Sequence, residues 1–478
     1  MLTELAGISL LLAVIAIIVR ILLRSHRTPS SRVAWITIVI ALPLLGIAAY
    51  LLLGEVNLGR RRIEQLQKNK QILPPPSTVS APYSETSASA EQDRFAQLFK
   101  LGQSISGFQA EDGNRAQLMT DSNSAIDAMV ADIDKARESV HLSFYIWLSD
   151  RNGSKVIDAV KRAASRGVSC RALADGLGSR SLIKSKHWKD MQKSGAQVAV
   201  ALPVSNPLLS PLLGRIDLRN HRKIAVIDNA ISYCGSQNCA DPEFLPKARY
   251  APWVDILLRF TGPVVTQNQY LFVTDWMLAT EENLSHMLLP ANDKVAGFTA
   301  QVVGTGPNYR FSAMPELLVG LLTTARQQLT ISTPYYVPNE SMQDALCATA
   351  YRGVNTTLIL PARNDSRFVA AASKSCYADL LTAGVRIMEF EGGLLHAKTL
   401  TMDGQITLVG STNLDRRSFE INFENNILLR DSAITAAVLQ RQEEYITASR
   451  EVTLAQLESW SLGSRLLNNS LAMLAPVL

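Results

Sequence analysis

The chain has 478 residues, enough for more than one domain with a buried core. Its net charge is +5 and its pI about 8.9, which excludes a strongly basic nucleic-acid binder but suits an anionic partner such as a lipid headgroup layer. Cys170, Cys234, Cys239, Cys347 and Cys376 fit neither a disulfide framework nor a zinc spacing, and read as idle thiols in a reducing compartment.

Two apolar runs come first. Leu5–Leu23 is interrupted only by Ser9 and Arg20, and Val33–Leu53 carries no charge. Each is long enough to cross ~30 Å of hydrocarbon as a helix. Arg20 lies near an end where it can snorkel, and Pro43 is tolerable inside a membrane helix. Glu4 stands where a signal peptide would carry basic residues, and a second apolar run follows at once. Residues 1–62 therefore predict a transmembrane hairpin with helices at about 5–23 and 33–53. Arg24, Arg27 and Arg32 in the loop are outnumbered by Arg60, Arg61, Arg62, Lys68 and Lys70 beyond it, which places the rest of the chain in the cytoplasm. Residues 63–105 are expected to be a linker, because their middle is rich in Pro, Ser and Ala.

The remainder repeats itself. Ala136–Trp147 (ARESVHLSFYIW) answers Ala325–Tyr336 (ARQQLTISTPYY), and Ser165–Leu173 (SRGVSCRAL) answers Tyr351–Ile359 (YRGVNTTLI). The copies lie about 190 residues apart in the same order, so two similar halves follow one another, at 106–295 and 296–478. Ile126, Met129, Val130 and Ile133 share a helical face, and Val140, Leu142, Phe144 and Ile146 a strand face. Alternation of this kind predicts an α/β fold in which helices flank a sheet.

Late in each half the same frame appears: HRKIAVIDNAISYCGSQN from His221 and HAKTLTMDGQITLVGSTN from His396. His221 and Lys223, like His396 and Lys398, share one face if the segment is a strand, which is costly to bury without a function. Asp228 and Asp403 open a tight hairpin turn; they are either turn formers or part of the chemistry. Gly-Ser-x-Asn then supplies Ser236 and Asn238, or Ser411 and Asn413.

This frame resembles the HxKxxxxD signature of the phospholipase D superfamily, whose two halves form one active site about a pseudo-twofold axis. With GEVNLGRRR (Gly54–Arg62), TPYYVP (Thr333–Pro338), FEGGLLHAK (Phe390–Lys398) and NLDRRSFEINFE (Asn413–Glu424), the chain is similar to bacterial cardiolipin synthases of the membrane-anchored type. The resemblance implies transfer of a phosphatidyl group between two phosphatidylglycerols in a bacterial inner membrane, with release of glycerol. It also implies a catalytic set of His221, Lys223, Asp228, His396, Lys398 and Asp403. A membrane phospholipase D using water, or a transferase using another alcohol, stays open.

The chemistry suits the residues. Two lysines with Ser236, Asn238, Ser411 and Asn413 would hold the oxygens of an anionic phosphodiester. One imidazole would attack phosphorus, and the other would protonate the leaving glycerol and then deprotonate the incoming hydroxyl. By the resemblance His221 is the nucleophile, and Arg219 and Arg222 beside it favour a neutral ring. Each histidine needs an orienting carboxylate, for which Asp255 and Glu424, downstream of His221 and His396 in turn, are the candidates. No metal, other cofactor or nucleic-acid partner is expected. His26, His141, His187 and His286 have no motif around them and read as structural. The longer approach to His221 carries Leu208, Leu209, Leu212 and Leu213, expected to dip into the bilayer with Arg215 and Arg219 meeting headgroups.

Overall fold

A computed structural model describes residues 2–25, 27–79, 93–203, 214–288 and 296–474. His26 and the four leucines from Leu208 to Leu213 lie outside these residues.

Strands β1 (Glu111–Leu118), β2 (Ser139–Phe144), β3 (Ser169–Asp175), β4 (Gln197–Ala201), β5 (Ile224–Ile227), β6 (Ile231–Gly235), β7 (Trp253–Val254) and β8 (Leu257–Thr261) belong to half one. Half two supplies β9 (Phe298–Thr305), β10 (Gln328–Ser332), β11 (Tyr336–Val337), β12 (Asn355–Pro361), β13 (Arg386–Phe390) and β14 (Leu394–Leu395). It continues with β15 (Thr399–Met402), β16 (Ile406–Gly410), β17 (Leu414–Asp415), β18 (Glu424–Arg430) and β19 (Ser449–Val452).

Fifteen of these strands form one sheet, ordered β19-β13-β12-β10-β15-β16-β18-β9-β1-β8-β6-β5-β2-β3-β4. Read outward from the antiparallel β1–β9 seam, the two sides have the same order, and only β19 lacks a counterpart. In each half the outer strands run parallel, joined by crossover helices, while the hairpin strands nearest the seam are antiparallel. The amphipathic face foreseen in half one, Ile126, Met129 and Ile133, packs on Val140 and Leu142. At the seam, the buried helix Val264–Thr280 links the halves: Asn268 donates to Ser232 Oγ (3.0 Å) and accepts from Asn425 (3.1 Å).

The stretch at 63–105 contains more structure than a linker. Helix α4 (Arg60–Ile72) packs on the helix Val264–Thr280, and in the helix Ala96–Ser106 the residues Leu98, Phe99 and Ile105 enter the core of half two.

The second apolar run departs from expectation. Helix α1 (Leu2–Leu23) is the one helix among the described residues long and apolar enough to cross a membrane. The run that follows is broken into α2 (Pro29–Ala41) and α3 (Pro43–Ala49), the latter continued by a wider-wound turn at Tyr50–Gly54. Pro43 cannot donate to the preceding turn, and Leu42 leaves helical geometry at φ −135°. The chain folds back there: the rings of Trp35 and Tyr50 stand 5.3 Å apart, whereas on a continuous helix they would be separated by about 20 Å. Glu55 consequently meets Arg20 (2.6 Å) and Arg24 (3.2 Å) at the C-terminal end of α1, not at its start. Each arm is ~20 Å long or less, short of the ~30 Å hydrocarbon layer, so the expected span at 33–53 is a helical hairpin that returns to its own side.

The hairpin turns at the end of each motif form as the sequence suggests. Asp228 and Asn229 have φ 50° and 48°, and Asp403 and Gly404 have 50° and 63°. Their carboxylates are committed to the backbone. Asp228 accepts N–H groups from Arg137 (2.9 Å), Glu138 (2.8 Å) and Ser139 (2.8 Å), which fixes the start of β2. Asp403 accepts those of Arg326, Gln327 and Gln328 at 3.0, 2.8 and 3.0 Å, which fixes the start of β10. Asp228→Ala should lower folding stability by about 2–4 kcal/mol through loss of these charge-assisted bonds, and Asp228→Asn by less. Thermal unfolding would show this, with the folded fraction keeping its turnover; an unchanged melting temperature with lost turnover would restore a chemical role.

Candidate active site

The catalytic frame does not lie within the ladder. β5 begins at Ile224 and β15 at Thr399, so each His-x-Lys precedes its strand as an extended segment. That segment pairs with the opposite half. Asn220 bridges in parallel to Phe423, with the His221 N–H donating to the Phe423 carbonyl at 2.9 Å. In the symmetric position β14 pairs with β7, and the His396 N–H donates to the Val254 carbonyl at 2.8 Å. Each histidine is thereby stitched beside the residue that precedes the other half's carboxylate.

The carboxylate pairing therefore crosses between halves, a correction to the order along the chain. His221 Nδ1 meets Glu424 at 2.9 and 3.0 Å, and His396 Nδ1 meets Asp255 at 2.6 Å. An ionised carboxylate only accepts, so Nδ1 carries the hydrogen and Nε2 keeps its lone pair. Both rings face one cleft of about 260 Å³. Tyr145 lies edge-on to His221 with centroids 5.0 Å apart, and Trp253 is tilted against His396 at 4.6 Å.

Burial sets the protonation states. It lowers the pKa of His221 to about 4, against the pull of Glu424, and lowers that of His396 against Asp255. Burial also raises the two carboxylates, but the neighbouring histidines and lysines outweigh it and hold both below their usual range. Desolvation brings Lys223 down to about 7 and Lys398 to about 8. Each ammonium donates to the carbonyl of its own histidine, at 2.6 and 2.7 Å.

The Gly-Ser-x-Asn residues divide. Ser236 Oγ donates to Asp255 (2.6 Å) and accepts the Ile256 N–H (3.0 Å); Ser411 Oγ donates to Glu424 and accepts the Asn425 N–H (2.9 Å). Both hydroxyls are fully buried and are spent on the carboxylates, and neither residue lines the cleft. Asn238 and Asn413 do line the cleft. Asn238 accepts from the Ile146 N–H (3.1 Å), leaving its NH₂ buried without a partner, and Asn413 Oδ1 is likewise unpartnered. Asp228 and Asp403 are remote from the cleft, about 20 Å along the chain from their histidines.

Arg219 reaches the cleft wall bonded only to backbone carbonyls of Leu218 and Ile216. Arg215 closes on Asp217 at 2.5 Å. Arg222 is buried against Asp275 at 2.6 Å, so its charge is neutralised and does not bear on His221. Of the Tyr335–Tyr336 pair, Tyr335 lines the cleft and Tyr336 sits in the core. Sequence reasoning missed Tyr145, Trp253, Lys247 and Arg417, all on the cleft wall. Trp253 lies two residues before Asp255, and Arg417 lies inside the quoted segment from Asn413, so position beside a candidate was the available signal.

Residues 129–248 and 318–446 match the family described as cardiolipin synthase, phospholipase D-like domain, and residues 11–55 match the phospholipase D-nuclease N-terminal family. Cardiolipin synthase A of Erwinia tasmaniensis is 37% identical over 479 residues, covering 98% of this chain and 96% of that one. Cardiolipin synthase A of Yersinia pseudotuberculosis is 36% identical over 458 residues, covering 94% and 92%. Among solved structures, phosphatidylserine synthase of Haemophilus influenzae shares the fold with a TM-score of 0.58 at 14% identity, over 81% of this chain and 99% of that one. A chain with this fold and these relatives is a phosphatidyltransferase of the phospholipase D type. It belongs to the cardiolipin synthase family.

Two measurements probe the site. Glu424→Gln and Asp255→Asn should each lower kcat by about 10²–10⁴-fold, the scale on which loss of a histidine's orienting carboxylate acts. The pH profile of kcat/KM should fall on both sides. The lysines must be charged to hold a phosphodiester, so activity is lost as pH rises through about 7 to 8. His221 becomes charged as pH falls toward about 4, so activity that needs its neutral ring is lost there. A profile flat to pH 10 would contradict the buried-lysine geometry.

Proposed function

We propose that the enzyme joins two phosphatidylglycerols into cardiolipin and glycerol through a phosphohistidine on His221. The observation that carries this is the pair of imidazoles, each held at Nδ1 by a buried carboxylate and both facing one cleft that Arg219 and Arg417 also line. The relatives named cardiolipin synthase A support the choice of lipid.

His221 Nε2 attacks phosphorus, and the bond from phosphorus to the glycerol oxygen breaks as His396 gives that oxygen a proton. The terminal hydroxyl of the second phosphatidylglycerol then loses its proton to His396 and attacks phosphorus, and the phosphorus–nitrogen bond breaks. The strongly lowered pKa of His221 favours the neutral ring that a nucleophile requires; burial lowers His396 too, against the pull of Asp255, so His396 takes up at Nε2, as the anionic lipid binds, the proton that it then gives to the glycerol oxygen. Lys223, Lys398 and Arg219 supply positive charge to the equatorial oxygens.

Incubation with phosphatidylglycerol alone should yield cardiolipin and glycerol by mass. Phosphatidic acid and glycerol would instead mark a hydrolase. With a nitrophenyl phosphodiester lipid, whose leaving group needs no proton, His396→Ala should still acquire mass on His221, and His221→Ala none on His396. The reverse pattern would exchange the two roles.

In the inner membrane, α1 would cross once, and the catalytic body would lie on the side of Arg20 and Arg24, which the positive-inside excess makes cytoplasmic. An N-terminal epitope tag should be open to protease from the periplasm while a C-terminal tag is protected. Protection of both would restore a hairpin with two full spans.

A further inference from the structure

The C-terminal helix Leu462–Ala472 is turned the wrong way for a water-soluble surface. Its inward side is led by Asn468, which is buried, while Leu462 (77% exposed), Leu466 (68%), Leu467 (58%) and Met473 (76%) face outward. Leu462, Leu466 and Met473 fall on one helical stripe, and Leu467 widens it to a broad apolar arc. An amphipathic helix that packs a polar residue inward and leucines outward has its apolar partner outside the chain.

Its position identifies that partner. The helix starts beside Trp460, whose ring lies 6.4 Å from Tyr377 and 5.8 Å from the Lys374 ammonium, at the C-terminal end of the helix Arg367–Ser375. It packs along that helix, which begins just after Asp365. Asp365 forms the cleft wall with Tyr335 (2.7 Å) and Lys247 (2.5 Å), and Leu245, two residues before Lys247, is 74% exposed. Another wall of the cleft carries Arg417, in the short helix Arg416–Glu420, whose Arg416 and Glu420 charges act on Arg27 in the loop after α1. The Arg215 N–H is bonded to Asn57 (2.7 Å), just past the anchor. The cleft thus lies between the membrane anchor and the leucine face.

We propose that the C-terminal helix is a bilayer-docking element: its leucine face inserts at the acyl boundary and, with the N-terminal anchor, seats the cleft on the membrane surface. This rests on the lipid-transfer reading above. The partner is a phospholipid surface and not a second copy of the chain, because the leucine helix packs along a helix that begins at the wall of the cleft that must receive lipid.

The test uses the full chain reconstituted in phosphatidylglycerol vesicles, with a photoreactive benzophenone side chain at position 466 and, as control, at the exposed Asp158. Illumination should join position 466 to lipid acyl chains and leave position 158 largely unjoined. Leu462→Ser, Leu466→Ser and Leu467→Ser together should slow turnover on vesicles several-fold, with the rate on micellar short-chain phosphatidylglycerol unchanged. A crosslink from 466 to a second protein chain, equal lipid labelling at both positions, or no lipid labelling in a protein that makes cardiolipin would overturn the proposal. Lipid labelling at 466 in a protein that makes no cardiolipin would leave the surface standing and defeat the lipid-transfer reading instead.

Discussion

Two crossed imidazole–carboxylate pairs hold this structure to its purpose. His221 belongs to one half and Glu424 to the other; His396 and Asp255 reverse the arrangement. All four side chains are at least nine-tenths buried, and a buried charge is tolerated only with a partner. Removing one member leaves the other uncompensated, at a cost of about 3–5 kcal/mol in such settings. Each half's carboxylate finds its histidine only in the other half, so the seam between β1 and β9, the two cross-half bridges and the site stand together. Ser236 and Ser411 extend the same logic, each donating to the carboxylate that serves the other half's histidine.

The charge balance follows from those pairs. The two carboxylates are spent on the rings, and each lysine ammonium is buried and held on the carbonyl of its own histidine. Burial brings the lysines close to neutrality, and an incoming phosphodiester monoanion would restore their charge. The aromatic rings of Tyr145 and Trp253 pack against the two histidines on the cleft wall and limit how far the imidazoles can turn.

Much of this was legible in the sequence. The repeat, the two His-Lys pairs, the α/β architecture and even the identities of Asp255 and Glu424 follow from spacing and patterning. What chain order could not carry was partnership: the paired residues stand 203 and 141 positions apart, and only the fold decides which carboxylate meets which ring. Asp228 and Asp403 looked chemical because they sit in the motif, yet a side chain at the far end of a short strand serves the backbone there. Hydropathy measured the length of the run at Val33–Leu53 but not its direction, which one proline reversed. Exposed leucines at the C-terminus carried no motif, and their orientation exists only after packing.

The crossed pairing can be measured directly by nitrogen NMR of the histidine side chains in the purified enzyme, comparing the native chain with Glu424→Gln. Loss of the carboxylate that accepts from Nδ1 should shift the ring nitrogens and tautomer of His221 and leave those of His396 unchanged. A change at His396 with His221 undisturbed would mean that each half keeps its own carboxylate, and would contradict a single site built across the seam.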